Sequence, residues 1–143
     1  MNLRILTISA AIIAAGALSP APAAEENTPA VAGGPRLLLS AKEINFGLVE
    51  RDSELNGSVV ITNSGTEPLV IFNISSGCSC ARAGWKDLPL EPGASDTVSV
   101  SFDTHGRSAG EFQKMFRIRS NAEESLEVFF VKGKVKRSPF YND

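Results

Sequence analysis

The chain has 143 residues, with 14 lysines and arginines against 16 aspartates and glutamates. This near balance lacks the basic surplus that is typical of nucleic-acid-binding proteins, so we expect no nucleic-acid partner. The length suits a single domain preceded by a targeting segment.

Residues 1–23 have the features of a secretory signal peptide. Arg4 supplies a positive start, an apolar run occupies residues 5–18, and Ala21 and Ala23 form an A-x-A cleavage pattern. The run is shorter than the roughly 20 apolar residues of a membrane-spanning helix. We therefore predict a mature chain without a transmembrane segment that is periplasmic or secreted.

Residues 24–35 (AEENTPAVAGGP) are rich in Ala, Pro and Gly and lack periodicity, which predicts a flexible linker. The domain is expected over residues 36–137. A tail follows at residues 138–143, where Phe140 and Tyr141 either fold back onto the domain or form a short recognition segment.

The pattern from residue 36 onward is that of β-strands. Alternation is clearest over residues 97–102 (TVSVSF), whereas Lys114 and Met115 interrupt it later and predict a β-bulge. Residues 36–40 and 43–49 are predicted to form either one strand or a pair split by a bend at Ala41 and Lys42. The other predicted strands occupy residues 57–62, 69–74, 97–102, 111–119 and 126–135. Turn-forming residues separate them, so the sequence predicts an all-β fold, an immunoglobulin-like β-sandwich of about seven strands.

The apolar residues in phase on these strands form the predicted core. They are Phe46, Val59, Ile61, Leu69, Ile71, Val98, Val100, Phe102, Phe112, Phe116, Val128 and Phe130.

Several short motifs follow one another in a characteristic order. They include Phe46-Gly47-Leu48-Val49, Cys78-Ser79-Cys80, Phe102-Asp103-Thr104-x-Gly106-Arg107 and Gly110-x-Phe112-x-Lys114. Over residues 38–135 the ordered set resembles a secreted bacterial family catalogued as domain of unknown function 1573. That family is similar to the immunoglobulin-type folds of the ASH and major sperm protein group. The resemblance implies an interaction module outside the cytoplasm and supplies no catalytic residue.

Cys78 and Cys80 are the only cysteines, and three interpretations apply to them. Export favours a disulfide, although residues two apart in an extended chain lie near the upper limit of disulfide geometry. Two thiolates also suit Cu(I) or Zn(II), with His105 and Met115 as the available additional ligands. The third interpretation is a pair of small, reduced core residues. We expect the disulfide, and no metal or other cofactor.

His105 is the only histidine and lies between Asp103 and Arg107 in a glycine-containing loop. These three residues are candidates for a charged cluster beside the cysteines. Alternatively, Asp103 and Thr104 stabilise a turn through their side chains and His105 is exposed. A catalytic Cys–His arrangement would need a third group to orient the histidine, and only Asp103 is near in sequence. We therefore predict that the protein is not an enzyme.

Trp85 is the only tryptophan. It either anchors a partner or caps one end of the core with its indole N–H bonded to a loop carbonyl.

Two functions are compatible with these features. One is an exported, non-enzymatic interaction or structural module of the bacterial cell envelope that binds an envelope or secreted protein. The alternative is a soft-metal-binding or thiol-redox protein that acts through Cys78 and Cys80.

Overall fold

The structure is a computed structural model that describes residues 33–140. The predicted signal peptide, residues 24–32 of the predicted linker and residues 141–143 of the tail lie outside the described residues. The described residues form eight strands: β1 (Leu37–Leu39), β2 (Glu43–Val49), β3 (Glu54–Asn63), β4 (Ile71–Ser75), β5 (Ala81–Gly84), β6 (Ser95–Asp103), β7 (Gly110–Ser120) and β8 (Leu126–Val135). Within residues 33–140 no helix is long and apolar enough to cross a membrane.

The strands form two four-stranded sheets, in the orders β1-β3-β6-β5 and β2-β8-β7-β4. All neighbouring strands are antiparallel except β2 and β8, which are parallel. The predicted all-β sandwich is confirmed. The strand absent from the prediction is β5, because its sequence Ala-Arg-Ala-Gly lacks the alternation and the β-branched or aromatic residues that mark a strand.

The core lies between the two sheets. Val98, Val100 and Phe102 alternate inward along β6 and are almost fully buried, and the Phe102 ring stacks on Phe112 with centroids 4.4 Å apart. This stack joins the first sheet to the second, because Phe112 belongs to β7. Burying each such ring contributes about 1.5–3 kcal/mol. The predicted core residues are buried, apart from half-buried Phe46 and two residues of β8.

Those two residues, Val128 and Phe130, were assigned to the wrong face of β8. The inward residues are Phe129 and Val131, both fully buried, while Val128 and Phe130 are partly exposed on the outside. Side chains along a strand alternate between faces, so a phase error of one residue reverses the whole strand.

The bulge predicted at Lys114 and Met115 is also wrong. β7 and β8 pair without a register shift from Gly110 to Arg119. Lys114 takes an inward position opposite Val131 and is half-buried, which its long aliphatic stem permits, and Met115 faces outward. The irregularities of this sheet lie instead in β4, between Ile71 and Asn73, and in β2, between Asn45 and Leu48.

A buried asparagine organises the end of β3. Asn63 Oδ1 accepts hydrogen bonds from the N–H groups of Gly65 (2.9 Å) and Arg36 (3.3 Å), and its Nδ2 donates to the carbonyls of Glu67 (2.7 Å) and Leu90 (2.8 Å). One side chain thus satisfies four backbone groups from three segments.

Gly34, which the sequence assigned to the linker, is attached to this same region. Its N–H donates to Thr66 Oγ1 (3.0 Å), and its carbonyl accepts from the Thr66 N–H (2.9 Å). A Cβ atom on Gly65 would lie 2.1 Å from the Gly34 carbonyl oxygen. Only glycine therefore allows this close approach of the two segments.

At the other end of the domain, Phe140 is 92% exposed.

Candidate functional site

The segment between β4 and β5 carries the two cysteines. It crosses from the edge of the second sheet to the edge of the first, and it turns at Gly77, whose φ is +72°. Ser76 Oγ lies 2.7 Å from the Ala81 carbonyl oxygen and 3.0 Å from that of Cys78, which draws the segment into a compact loop. Within it Cys78 and Cys80 are joined by a disulfide with a Cα–Cα distance of 5.4 Å, inside the usual range.

Arg107, on the loop between β6 and β7, lies against this disulfide. One guanidinium nitrogen is 3.2 Å from Cys80 Sγ, and the guanidinium carbon lies 4.8 Å from the centroid of the Phe102 ring. The ring face attracts the cation. Nε of Arg107 is buried and has no hydrogen-bond partner among residues 33–140. The arginine is therefore held between an aromatic ring and a sulfur atom.

The other two members of the predicted cluster form a turn of their own. Asp103 Oδ1 accepts a hydrogen bond from the His105 N–H (2.8 Å), and the His105 side chain is 74% exposed with Nδ1 3.9 Å from the same oxygen. The buried Thr104 bonds instead to the backbone of Ser53. Of the predicted cluster, Arg107 reaches the disulfide, whereas Asp103 and His105 pair with each other.

The residues considered as metal ligands lie apart from one another, except for the two cysteines. Within the described part of the chain, no group of three or more His, Cys, Asp or Glu side chains is arranged to hold a metal ion. The two sulfur atoms are bonded to each other, His105 points to solvent, and Met115 lies on the outside of the second sheet.

Two open grooves border Cys80. One, of about 560 Å³, is lined by Cys80, Arg107 and Phe112 among others. A smaller one, of about 180 Å³, is lined by Ser79, Cys80 and Arg82. Solvent and solutes can therefore approach the cysteine loop.

Trp85 follows β5 and packs against the core in a half-buried position. Its indole nitrogen is buried but has no hydrogen-bond partner within residues 33–140, so the expected bond to a loop carbonyl is absent there.

A second feature, which sequence reasoning missed, is the outside of the second sheet. The cross-strand pairs Met115–Phe130, Arg117–Val128 and Arg119–Leu126 place their side chains on this face, because the alternate pair Phe116–Phe129 points into the core. We call it the β7–β8 outer face. It consists of six side chains of β7 and β8 together with one of the neighbouring strand β4: Met115, Arg117, Arg119, Leu126, Val128, Phe130 and, from β4, Phe72.

Its exposed apolar groups are unusual for the outside of a sheet. Phe72 is 63% exposed and Leu126 is 53% exposed, and Met115, Val128 and Phe130 are half-buried among them. Contiguous apolar surface of this kind marks interaction sites. The signal was present in the sequence, since residues 128–131 (VFFV) are apolar on both faces of the strand.

The same face carries positive charge. Arg117 and Arg119 are exposed, and neither makes an ion pair or side-chain hydrogen bond within residues 33–140. Lys132, farther along β8, is paired with Glu43 at 2.6 Å. Arg117 also lies beside the cysteine loop, because its guanidinium is 3.8 Å from the position a Cβ on Gly77 would take.

Comparison with known proteins identifies the fold. A family model described as "Protein of unknown function (DUF1573)" matches residues 37–135. No curated protein gives a significant match.

Solved structures share the architecture at low identity. A protein of unknown function from Porphyromonas gingivalis W83 is 18% identical, covers 76% of this chain and 51% of its own, and has a TM-score of 0.61. The ASH/PapD-like domain 7 of human CEP192 is 15% identical over 71% of this chain and 86% of its own (TM-score 0.58). The Vibrio cholerae VesB protease is 14% identical over 70% of this chain and 31% of its own (TM-score 0.56). The chain thus spans about half the length of the P. gingivalis protein, and at these identities the likeness shows the fold alone.

Proposed function

Since the chain belongs to the DUF1573 family, we propose that it is an exported, non-enzymatic interaction module of the bacterial cell envelope. Its β7–β8 outer face binds a segment of a partner protein, and that segment combines large apolar side chains with carboxylates. The mature chain acts outside the cytoplasm after removal of residues 1–23.

The observation that carries the proposal is that half-buried Phe130 and Val128 and exposed Leu126 lie together on the outside of a central strand. β8 lies between β2 and β7, so its outward side chains occupy the middle of the sheet rather than its edge. Apolar groups at the centre of a surface patch form the dry part of protein interfaces. A partner that covers Phe130, Val128 and Leu126 removes their apolar surface from water.

The charges on the face indicate the chemistry of the partner. Arg117 and Arg119 have no carboxylate partner within residues 33–140 and are thus available to an acidic ligand. Arginine binds carboxylates through two parallel hydrogen bonds and is enriched at interface hot spots. An acidic segment with apolar anchors is therefore complementary to the face.

The test uses a library of random peptides displayed on phage and selected on the immobilised mature chain. We expect the selected peptides to be enriched in carboxylates next to large apolar residues. Synthetic copies of them should bind in solution, with the dissociation constant measured by fluorescence anisotropy.

Variants of the face identify where the peptides bind. Phe130→Ala and Arg119→Glu should each weaken binding about tenfold or more, as expected for hot-spot residues. Phe140→Ala and Arg82→Glu are matched controls, because Phe140 is exposed on the tail and Arg82 is exposed on the first sheet. Both controls should bind like the wild type.

Three results would overturn the proposal. Selected peptides without acidic character, or with affinity unaffected by Phe130→Ala and Arg119→Glu, would exclude this face as a protein-binding site. Binding of the wild type to phosphatidylglycerol vesicles, lost in the same variants, would assign the face to membranes. Reversible dimerisation in sedimentation experiments, lost in the same variants, would assign it to a second copy of the chain.

A further inference from the structure

A second site adjoins the β7–β8 outer face, because Arg117 of that face lies beside the cysteine loop. We propose that the Cys78–Cys80 disulfide undergoes thiol–disulfide exchange with a dithiol of a partner protein. In this exchange Cys78 is the sulfur attacked, Cys80 is the leaving thiolate, and Arg107 is the positioning residue that stabilises that thiolate.

The argument starts from the asymmetry of the two sulfur atoms. The Arg107 guanidinium contacts Cys80 Sγ at 3.2 Å. A disulfide sulfur is a neutral, weak hydrogen-bond acceptor, so this contact stabilises the oxidised form little. A thiolate at the same position would accept a charge-assisted hydrogen bond, which is much stronger. The arginine therefore favours the state in which the S–S bond is broken and Cys80 carries the thiolate.

The surroundings hold the arginine ready for this role. The Phe102 ring lies beneath the guanidinium, and Phe102 is itself stacked on Phe112, so the support is part of the core. The Nε atom of Arg107 is buried and makes no hydrogen bond within the described residues, so this donor is unused while the disulfide is intact. Preorganised charge next to a developing anion is the arrangement by which proteins stabilise transition states.

The disulfide is also accessible to a reacting thiol. Ser79, between the cysteines, is exposed, and both cysteines are partly exposed. The two grooves border Cys80, so they open the leaving sulfur to solvent, and the partly exposed Cys78 is the position that the partner's thiolate must reach. The Cys78–Cys80 disulfide contributes little to the free energy of unfolding, because it closes a loop over a single residue and removes little entropy from the unfolded chain. Stabilisation of the fold alone is therefore a weak reason for its presence.

The exchange balances in two steps. A thiolate of the partner attacks Cys78 Sγ, the Cys78–Cys80 bond breaks, and its electron pair passes to Cys80 Sγ beside Arg107. The product is a mixed disulfide between Cys78 and the partner. The partner's second thiol then loses its proton and attacks the partner's first sulfur, the one bonded to Cys78. This attack closes the partner's disulfide and releases Cys78, which takes up a proton. The partner dithiol is oxidised by two electrons, and the Cys78–Cys80 pair is reduced.

The first experiment measures reduction of the oxidised mature protein by dithiothreitol, a dithiol probe, with acid quenching and mass spectrometry. Because exchange rates depend on the stability of the leaving thiolate, Arg107→Gln should slow reduction about fivefold. Arg107→Lys keeps the charge and should restore part of the rate. Arg36→Gln removes the same charge from the opposite end of the first sheet, where Arg36 is exposed and pairs with Glu123, and should leave the rate unchanged.

The second experiment separates this role from a structural one. In the reduced protein, limiting iodoacetamide should alkylate Cys80 before Cys78, as identified by peptide mapping, because only thiolates react. The pH profile of this alkylation should move to higher pH in Arg107→Gln and return toward the wild type in Arg107→Lys. Circular dichroism spectra confirm that each variant is folded.

Alkylation of Cys78 first, or a reduction rate and pH profile unchanged by Arg107→Gln, would overturn the assignment. The peptide-binding experiments depend on Phe130 and Arg119 and the reduction experiments on Arg107, so failure of one proposal can be told from failure of the other. Conversely, a normal peptide affinity in Arg107→Gln would leave the proposed function intact.

Discussion

Alanine at two neighbouring positions of β8, Phe129→Ala and Phe130→Ala, tests which face of this strand forms the core. Phe129 is fully buried, and its ring stacks on Phe116 with centroids 4.9 Å apart. Replacing a buried phenylalanine by alanine lowers the free energy of unfolding by about 3–5 kcal/mol. Phe129→Ala also removes the ring that stacks on Phe116, so we expect a loss of about 4–5 kcal/mol. Phe130 is half-buried and leaves no closed cavity, so Phe130→Ala should cost about 1 kcal/mol from lost apolar burial.

The free energy of unfolding can be measured by urea denaturation followed by the fluorescence of Trp85, the only tryptophan. The denaturant dependence should stay close to that of the wild type in both variants, so that midpoints report stability. In thermal unfolding, Phe129→Ala should lower the Tm by roughly 20 °C and Phe130→Ala by about 4 °C. Equal losses, or a larger loss for Phe130→Ala, would contradict the assignment of Phe129 to the core and of Phe130 to the β7–β8 outer face.

The remaining predictions concern other elements of the chain. Phe102→Ala should destabilise the domain by about 3–5 kcal/mol, because it opens a cavity between the sheets; an unchanged melting curve would contradict the packing described here. Asn63→Ala should cost about 3 kcal/mol in urea denaturation, because it leaves several buried backbone groups without partners, and Asn63→Asp should lie between this variant and the wild type. Gly65→Ala should cost about 2 kcal/mol or more, since a methyl group collides with the Gly34 carbonyl; a stability equal to that of the wild type would show that residues 33–35 are not held as described. The intact mass of protein recovered from the periplasm or medium should match a chain that begins at or near Ala24, and an envelope-bound species that retains Met1 would contradict export and cleavage.

The fold was predictable because strand patterns are local. In β6 the alternation of Thr97-Val98-Ser99-Val100 leaves one arrangement in which the apolar residues face the core, and the structure has that arrangement. Turn residues such as Pro92-Gly93 mark the strand ends, and Gly93 has the positive φ that such a turn requires. Local chemistry of this kind is readable without knowledge of the partner strand.

β8 shows where local patterns stop being sufficient. Residues 128–131 are apolar at every position, so both phases bury equally hydrophobic side chains and periodicity cannot choose between them. The choice is made by pairing with β7, where Phe116 opposite Phe129 brings two rings together inside the sandwich. The β7–β8 outer face follows from that choice.

The sequence by itself determined the two-sheet architecture, most of the core and the location of the cysteine pair in a loop, because each depends on residue type and spacing along a short stretch of chain. The tertiary structure decided which face of β8 is exposed and which charged residue meets the disulfide. Arg107 and Cys80 are 27 positions apart and lie on loops that leave different strands, so no local pattern relates them. They come together because β5 pairs with β6 and because Phe102, at the end of β6, holds the guanidinium against the sulfur.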